Sequence, residues 1–115
     1  MKTGDAVNAL AALAQDTRLA IFRLLVQAGD GGMPVGSIGE KLKLPGATLS
    51  FHLKELSRAS LIKGRQQGRF IYYAANFEQM NGLVAYLTEN CCQGQACEIA
   101  CAPPRIGRKK AKALA

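Results

Sequence analysis

The side chains best suited to chemistry lie together. The stretch ENCCQGQACEIAC, residues 89 to 101, holds all four cysteines of a 115-residue chain, two of them adjacent. Thiolates are soft donors, so Cys91, Cys92, Cys97 and Cys101 point to binding of a soft metal or to thiol redox chemistry. A disulfide framework fits less well, because the chain reads as cytoplasmic, where thiols stay reduced. No stretch is apolar for the ~20 residues that a bilayer crossing needs, and Asp5 and Asp16 interrupt the region where a signal-peptide core would stand.

Enzymatic chemistry has little support elsewhere. There is no Gly-rich phosphate loop, no HExxH and no acid–base pair beside a nucleophile, and Gln93-Gly94-Gln95 is a weak anion loop for a cysteine-based reductase. His52 is the only histidine and has no acidic or cysteine neighbour in its motif, which favours a half-buried structural residue or a nucleic-acid contact over a metal ligand.

What must position the thiols is a small, basic, largely apolar body. At 49% hydrophobic residues the chain can build one core. The expected division is a folded domain over 1–90 and a cysteine-rich segment with a basic tail over 91–115. Of the net charge of +7, residues 105 to 115 supply five, so the remainder carries only +2. That remainder is polarised. Residues 41 to 69 contain seven basic side chains (Lys41, Lys43, Lys54, Arg58, Lys63, Arg65 and Arg69) against Glu55 alone. A basic block inside a folded domain is the electrostatic footprint of a nucleic-acid surface.

Periodicity supplies the elements. Residues 6 to 14 (AVNALAALA) predict a first helix with more apolar surface than solvent tolerates. Asp16 reads as the N-cap of a second, with Leu19, Ile21, Phe22, Leu24, Leu25 and Val26 at helical spacing up to the Gly29–Gly32 turn. Val35, Ile38 and Leu42 set a short third helix over about 35 to 43, and Leu44-Pro45-Gly46 ends it. Leu49, Leu53 and Leu56 resume the period at once, and two short helices about a tight turn make a helix-turn-helix.

The leucines fix the buried side of that fourth helix, leaving Ala47, Thr48, Ser50, Phe51, Lys54, Glu55 and Arg58 outward. Hydroxyls and Lys54 suit phosphates or base edges, and Ala47 or Phe51 suits a thymine methyl. His52 lies on the flank. The segment LIKGRQQGRFIYYAA then alternates like a hairpin reversing at Gln66-Gln67-Gly68, a basic wing whose Arg65, Gln66, Gln67 and Arg69 complete the candidate DNA-binding set. A last helix from Asn76, apolar at Phe77, Met80, Val84 and Leu87, runs into the cysteines. The fold class is mainly α with a small β-hairpin wing, a winged helix-turn-helix of five helices.

This order of elements, with LPGATLSFHLKELSRASLIKGRQQGRFIYYA, resembles the ArsR/SmtB family of metal- and metalloid-sensing repressors over about residues 5 to 90. The register of Ser50, His52, Leu53, Lys54 and Leu56 carries the resemblance. It implies a homodimer held by the first and last helices, bound to double-stranded operator DNA and released by an inducer. Two inducer sites known in the family have no counterpart here. MPVGSIGEKL lacks the cysteine pair of the arsenic sensors, and EQMNGLVAYLTEN offers Glu78 and Glu89 but no histidine for a last-helix zinc site.

That leaves the thiols that follow the last helix, where some relatives carry their inducer. Trivalent arsenic or antimony takes three sulfurs in a pyramid and tolerates irregular spacing. Cys91, Cys92 and Cys97 can close one, with Gly94 letting the chain fold back; Cys101 is an exchanging fourth thiol or a bystander. Zinc asks for a tetrahedron, and CC-x4-C-x3-C suits it poorly. A thiol redox switch and a structural zinc knot are the alternatives. No organic cofactor and no membrane partner are expected.

Overall fold

Five amphipathic stretches bury one stripe each, and the computed structural model shows what they bury it against. It describes residues 1–94. In chain order these form α1 (Thr3–Leu13), α2 (Asp16–Ala28), β1 (Met33–Pro34), α3 (Val35–Leu42), α4 (Gly46–Arg58), β2 (Ile62–Gln67), β3 (Phe70–Ala75), α5 (Phe77–Leu87) and a 3-10 turn over Cys91–Gly94. Met1–Val84 make one compact unit and a second begins at Ala85. Among the described residues no helix is long and apolar enough to cross a membrane.

The core of the first unit follows from spacing. α2 buries Ile21, Phe22 and Leu25, α3 buries Ile38, and α4 buries Leu49, His52, Leu53 and Leu56, each set on one helical face. Ile21, Leu25, Ile38, Leu56 and Leu61 are the largest side chains that are fully enclosed. α1 contributes only Ala6, Ala9 and Ala12. Small residues let it lie close to its neighbours, and they leave its larger side chains, Val7 and Leu10, in solvent.

Local backbone chemistry sets the boundaries. α2 is capped by Gln15, whose side-chain oxygen accepts from the Arg18 N–H at 2.9 Å, and not by Asp16 as the sequence suggests. Asp16 is instead the first helical residue, where its carboxylate still complements the helix dipole. α3 and α4 both start after prolines, Pro34 and Pro45, whose φ of −67° and −62° leads straight into helix. Lys43 closes α3 in the left-handed region, φ 56° and ψ 50°, and so makes the bend of the helix-turn-helix.

The wing belongs to a three-stranded antiparallel sheet of order β1-β3-β2. β1, which two residues are too few to announce, pairs Met33 with Tyr73 and Pro34 with Tyr72. In the hairpin Gln67 faces Phe70, so Gly68 and Arg69 make the reversal and Gln66 and Gln67 are strand residues, one step off the expected turn. Gly68 takes φ +63°, a conformation that side chains resist.

α5 is fixed at its start. The Asn76 side chain donates to the Ser60 carbonyl at 2.9 Å, its backbone N–H donates to the Leu61 carbonyl at 2.8 Å, and the Gln79 amide donates to the Ala59 carbonyl at 3.2 Å. The first turn of α5 is thereby fastened to the three residues that follow α4. Within the same unit the Met1 methyl lies beside Gly82, and Val84 is half exposed.

Candidate nucleic-acid interface

α4 presents a continuous outward surface because its buried residues, Leu49, His52, Leu53 and Leu56, recur at i, i+3, i+4 and i+7. Ala47, Thr48, Ser50, Phe51, Lys54 and Arg58 are all exposed, as expected. Phe51 keeps 56% of its surface in solvent, on the same outward face as Thr48 and Lys54. Pro45 offers no side-chain cap, so the first N–H groups of α4 stand open at the end that would meet a phosphate.

His52 is not brought to this surface. It is 8% exposed, with Nδ1 3.4 Å from a terminal guanidinium nitrogen of Arg18, and Arg18 Nε donates to the Ala12 carbonyl at 2.7 Å. The pair fastens α4 to the junction of α1 and α2. The Phe51 ring meets the imidazole edge-on, at 5.3 Å and 65°. Arg58 stands at the far end of the helix in an ion pair with Glu55 at 3.3 Å, the one ion pair among the described residues. Lys54, in the middle of the exposed row, has none.

The wing divides its polar residues by function. Arg65 is exposed but tied back to the fold: one terminal nitrogen donates to the Gly31 carbonyl at 3.1 Å, the other to the Gln67 side chain at 3.3 Å, and the guanidinium carbon lies 4.9 Å from the centre of the Tyr72 ring. Gln66 donates to the Gly68 carbonyl at 3.4 Å. Of the two wing arginines only Arg69, at the tip, has an exposed guanidinium with no hydrogen bond or ion pair among the described residues. The two wing arginines, alike in sequence, differ in geometry.

An expected result follows. Arg69→Gln weakens binding to every duplex alike and lowers the salt dependence of log K by about one, the loss of one phosphate contact. Arg65→Gln loosens the wing against the Gly31 turn, and its effect shows more in thermal stability than in that slope. Fluorescence anisotropy at several salt concentrations and thermal melts separate the two.

Sequence reading missed Ser57 and Tyr73. Ser57 follows Ser50 and Lys54 at i+7 and i+3, a spacing visible in advance, and shares a cleft with them; Tyr73 comes from β3 and has no local signal.

The thiol segment is described only in part. Asn90, Cys92 and Gln93 all take positive φ, of 57°, 55° and 58°, so the chain turns sharply after α5. Cys91 is half-buried and Cys92 is exposed. Cys97, Cys101 and the basic run from Arg105 to Lys112 lie outside the described residues. Among the described residues no three metal-binding side chains are gathered.

Comparison with known proteins agrees with this geometry. A family model described as a helix-turn-helix domain matches residues 13–65. The arsenical resistance operon repressor of Bacillus subtilis is 38% identical over 81 residues, 70% of this chain and 73% of that protein. An ArsR-like transcriptional regulator from Rhodococcus sp. RHA1 superposes with a TM-score of 0.67 at 24% identity, over 79% of this chain and 82% of that one. The homodimeric winged helix-turn-helix DNA-binding domain of a protein from Mycobacterium bovis described as a possible ArsR-family transcriptional regulator gives a TM-score of 0.61 at 25% identity, over 80% and 85%. With a recognition helix, a wing and a relative matched along most of its length, the chain belongs to the ArsR family of winged helix-turn-helix transcriptional regulators.

Proposed function

We propose that this regulator, which is not an enzyme, represses transcription as a homodimer on operator DNA and is released when trivalent arsenic or antimony binds the thiolates of Cys91, Cys92 and Cys97. The observation that carries the DNA half is the exposed row on α4 beside the Arg69 wing tip, with Lys54 free of any ion pair among the described residues. The inducer half rests on the thiol pair that directly follows α5 and on the likeness to an arsenical resistance repressor.

Release needs no contact between metalloid and DNA. α5 is fastened by Asn76 and Gln79 to residues 59 to 61, immediately after the recognition helix. A metalloid that reorganises the end of α5 therefore acts on a helix that is mechanically joined to α4. For induction the metalloid must favour the non-binding arrangement by a coupling of about 1–3 kcal/mol.

Dimerisation is supported by Val7, Leu10 and Val84, apolar side chains between 43% and 55% exposed on the two helices expected to form the interface. The Mycobacterium bovis relative is homodimeric. The double variant Val7→Glu with Leu10→Glu is expected to run as a monomer in size-exclusion at micromolar concentration and to lose operator affinity, because paired recognition helices must reach successive major grooves. A dimer of unchanged affinity would place the interface elsewhere.

A second reading is a thiol redox switch, in which two of the clustered cysteines form a disulfide under oxidant. A gel shift with the chain's own upstream DNA separates the readings. Under reductant, arsenite and antimonite are expected to release the DNA while zinc and cadmium do so less effectively. Release by oxidant alone, with no response to arsenite, assigns the cluster to redox sensing.

A further inference from the structure

α4 and β3 leave between them a cleft of about 300 Å³ whose lining includes Ser50, Lys54 and Ser57 on the helix and Ile71 and Tyr73 on the strand. The two walls differ in chemistry. The three helix residues fall at i, i+4 and i+7, so they stand on one flank. None of the three is used by the fold: Lys54 has no ion pair, and neither serine hydroxyl has a hydrogen bond among the described residues. The opposite wall offers Ile71, 47% exposed, and the Tyr73 ring. That ring keeps its place because residue 64 is glycine; a Cβ there would sit 2.9 Å from its edge.

A cation and two hydroxyls lining one opening that has no carboxylate among its lining residues call for an anion. The acid of this helix is out of the way, since Glu55 lines a different cavity with Asn8 and Arg18 and is paired to Arg58. An anion that also wants an apolar wall is a sugar-phosphate unit. We infer that this cleft seats one phosphodiester of the DNA backbone, held by Lys54, Ser50 and Ser57, with the adjoining deoxyribose against Ile71. The inference rests on the DNA-binding reading and assigns Lys54 to the backbone instead of to base edges. A phosphate clamped at the joint of helix and wing sets how deeply α4 enters the major groove.

The test is binding of the full chain to operator duplexes in which single phosphates are replaced, one at a time, by neutral methylphosphonate. For the wild-type protein one position per half-site is expected to weaken binding roughly tenfold beyond the others. In Lys54→Gln that position is expected to become silent, because the contact it lost is already gone, and the slope of log K against log salt falls by about one. Ser57→Ala should reduce the sensitivity of the same position about threefold. Both side chains are exposed, so neither change threatens the fold. If Lys54→Gln keeps the wild-type pattern of methylphosphonate sensitivity and loses discrimination between base sequences, Lys54 reads bases and the clamp is wrong. Absence of salt-dependent binding of the wild-type chain to any duplex would instead remove the DNA-binding reading itself.

Discussion

Cys92→Ser is expected to leave operator binding intact and to abolish release by arsenite. The substituted residue belongs to neither the recognition helix nor the wing, since Cys92 lies beyond the end of α5 in the chain. It removes one of three sulfurs from the proposed pyramid, and a metalloid held by two thiolates loses the closure that would reorganise the chain. With a coupling of about 1–3 kcal/mol, full induction corresponds to a roughly 5- to 150-fold drop in operator affinity, and the variant is expected to show none of it. Cys91→Ser and Cys97→Ser should behave alike, and Cys101→Ser should do less. Anisotropy of labelled operator under reductant, titrated with arsenite, reads all four. A Cys92→Ser protein that dissociates at wild-type arsenite concentrations has its inducer site somewhere else.

Gly32→Ala has the largest expected effect on stability. Gly32 precedes β1 with φ +73°, and a Cβ added there would overlap the Tyr73 carbonyl oxygen and come within 2.9 Å of its carbon. Both neighbours are backbone, held by pairing of β3 with β1 on one side and β2 on the other, so the strand cannot yield cheaply. A non-glycine residue in a disfavoured backbone region costs ~1–3 kcal/mol before any clash is counted, and here the clash adds to it. Gly31→Ala is the control. Nothing lies within 4 Å of a Cβ at that position and its φ is not left-handed, so its melting temperature should stay close to wild type. Equal losses from the two substitutions would contradict the tight approach of β3.

How far the sequence foretold this structure depends on how local the deciding interaction is. α4 was legible because Leu49, Leu53 and Leu56 repeat within one helix and Pro45 marks its start. β1 was not, since two residues carry no alternation and exist as a strand only because β3 pairs with them. The hairpin reverses one residue later than its sequence suggests. Gln66-Gln67 looks like a polar turn, but the backbone reverses where glycine permits positive φ, at Gly68. His52 and Arg65 show the same limit in the site. Each is settled by a partner 34 residues away, Arg18 for the one and Gly31 for the other, and no spacing rule reports it. The thiol cluster was read from composition and soft-donor chemistry, and only Cys91 and Cys92 of it lie among the described residues.

The most direct measurement of metalloid-released repression is arsenite affinity itself, determined for the reduced protein alone and again in the presence of saturating operator duplex. If one equilibrium links the thiols to the recognition helices, the two ligands must oppose each other by the same factor. Operator DNA is then expected to weaken arsenite binding as many fold as arsenite weakens operator binding. Arsenite affinity that is identical with and without operator would contradict the linkage, whatever the cysteines bind.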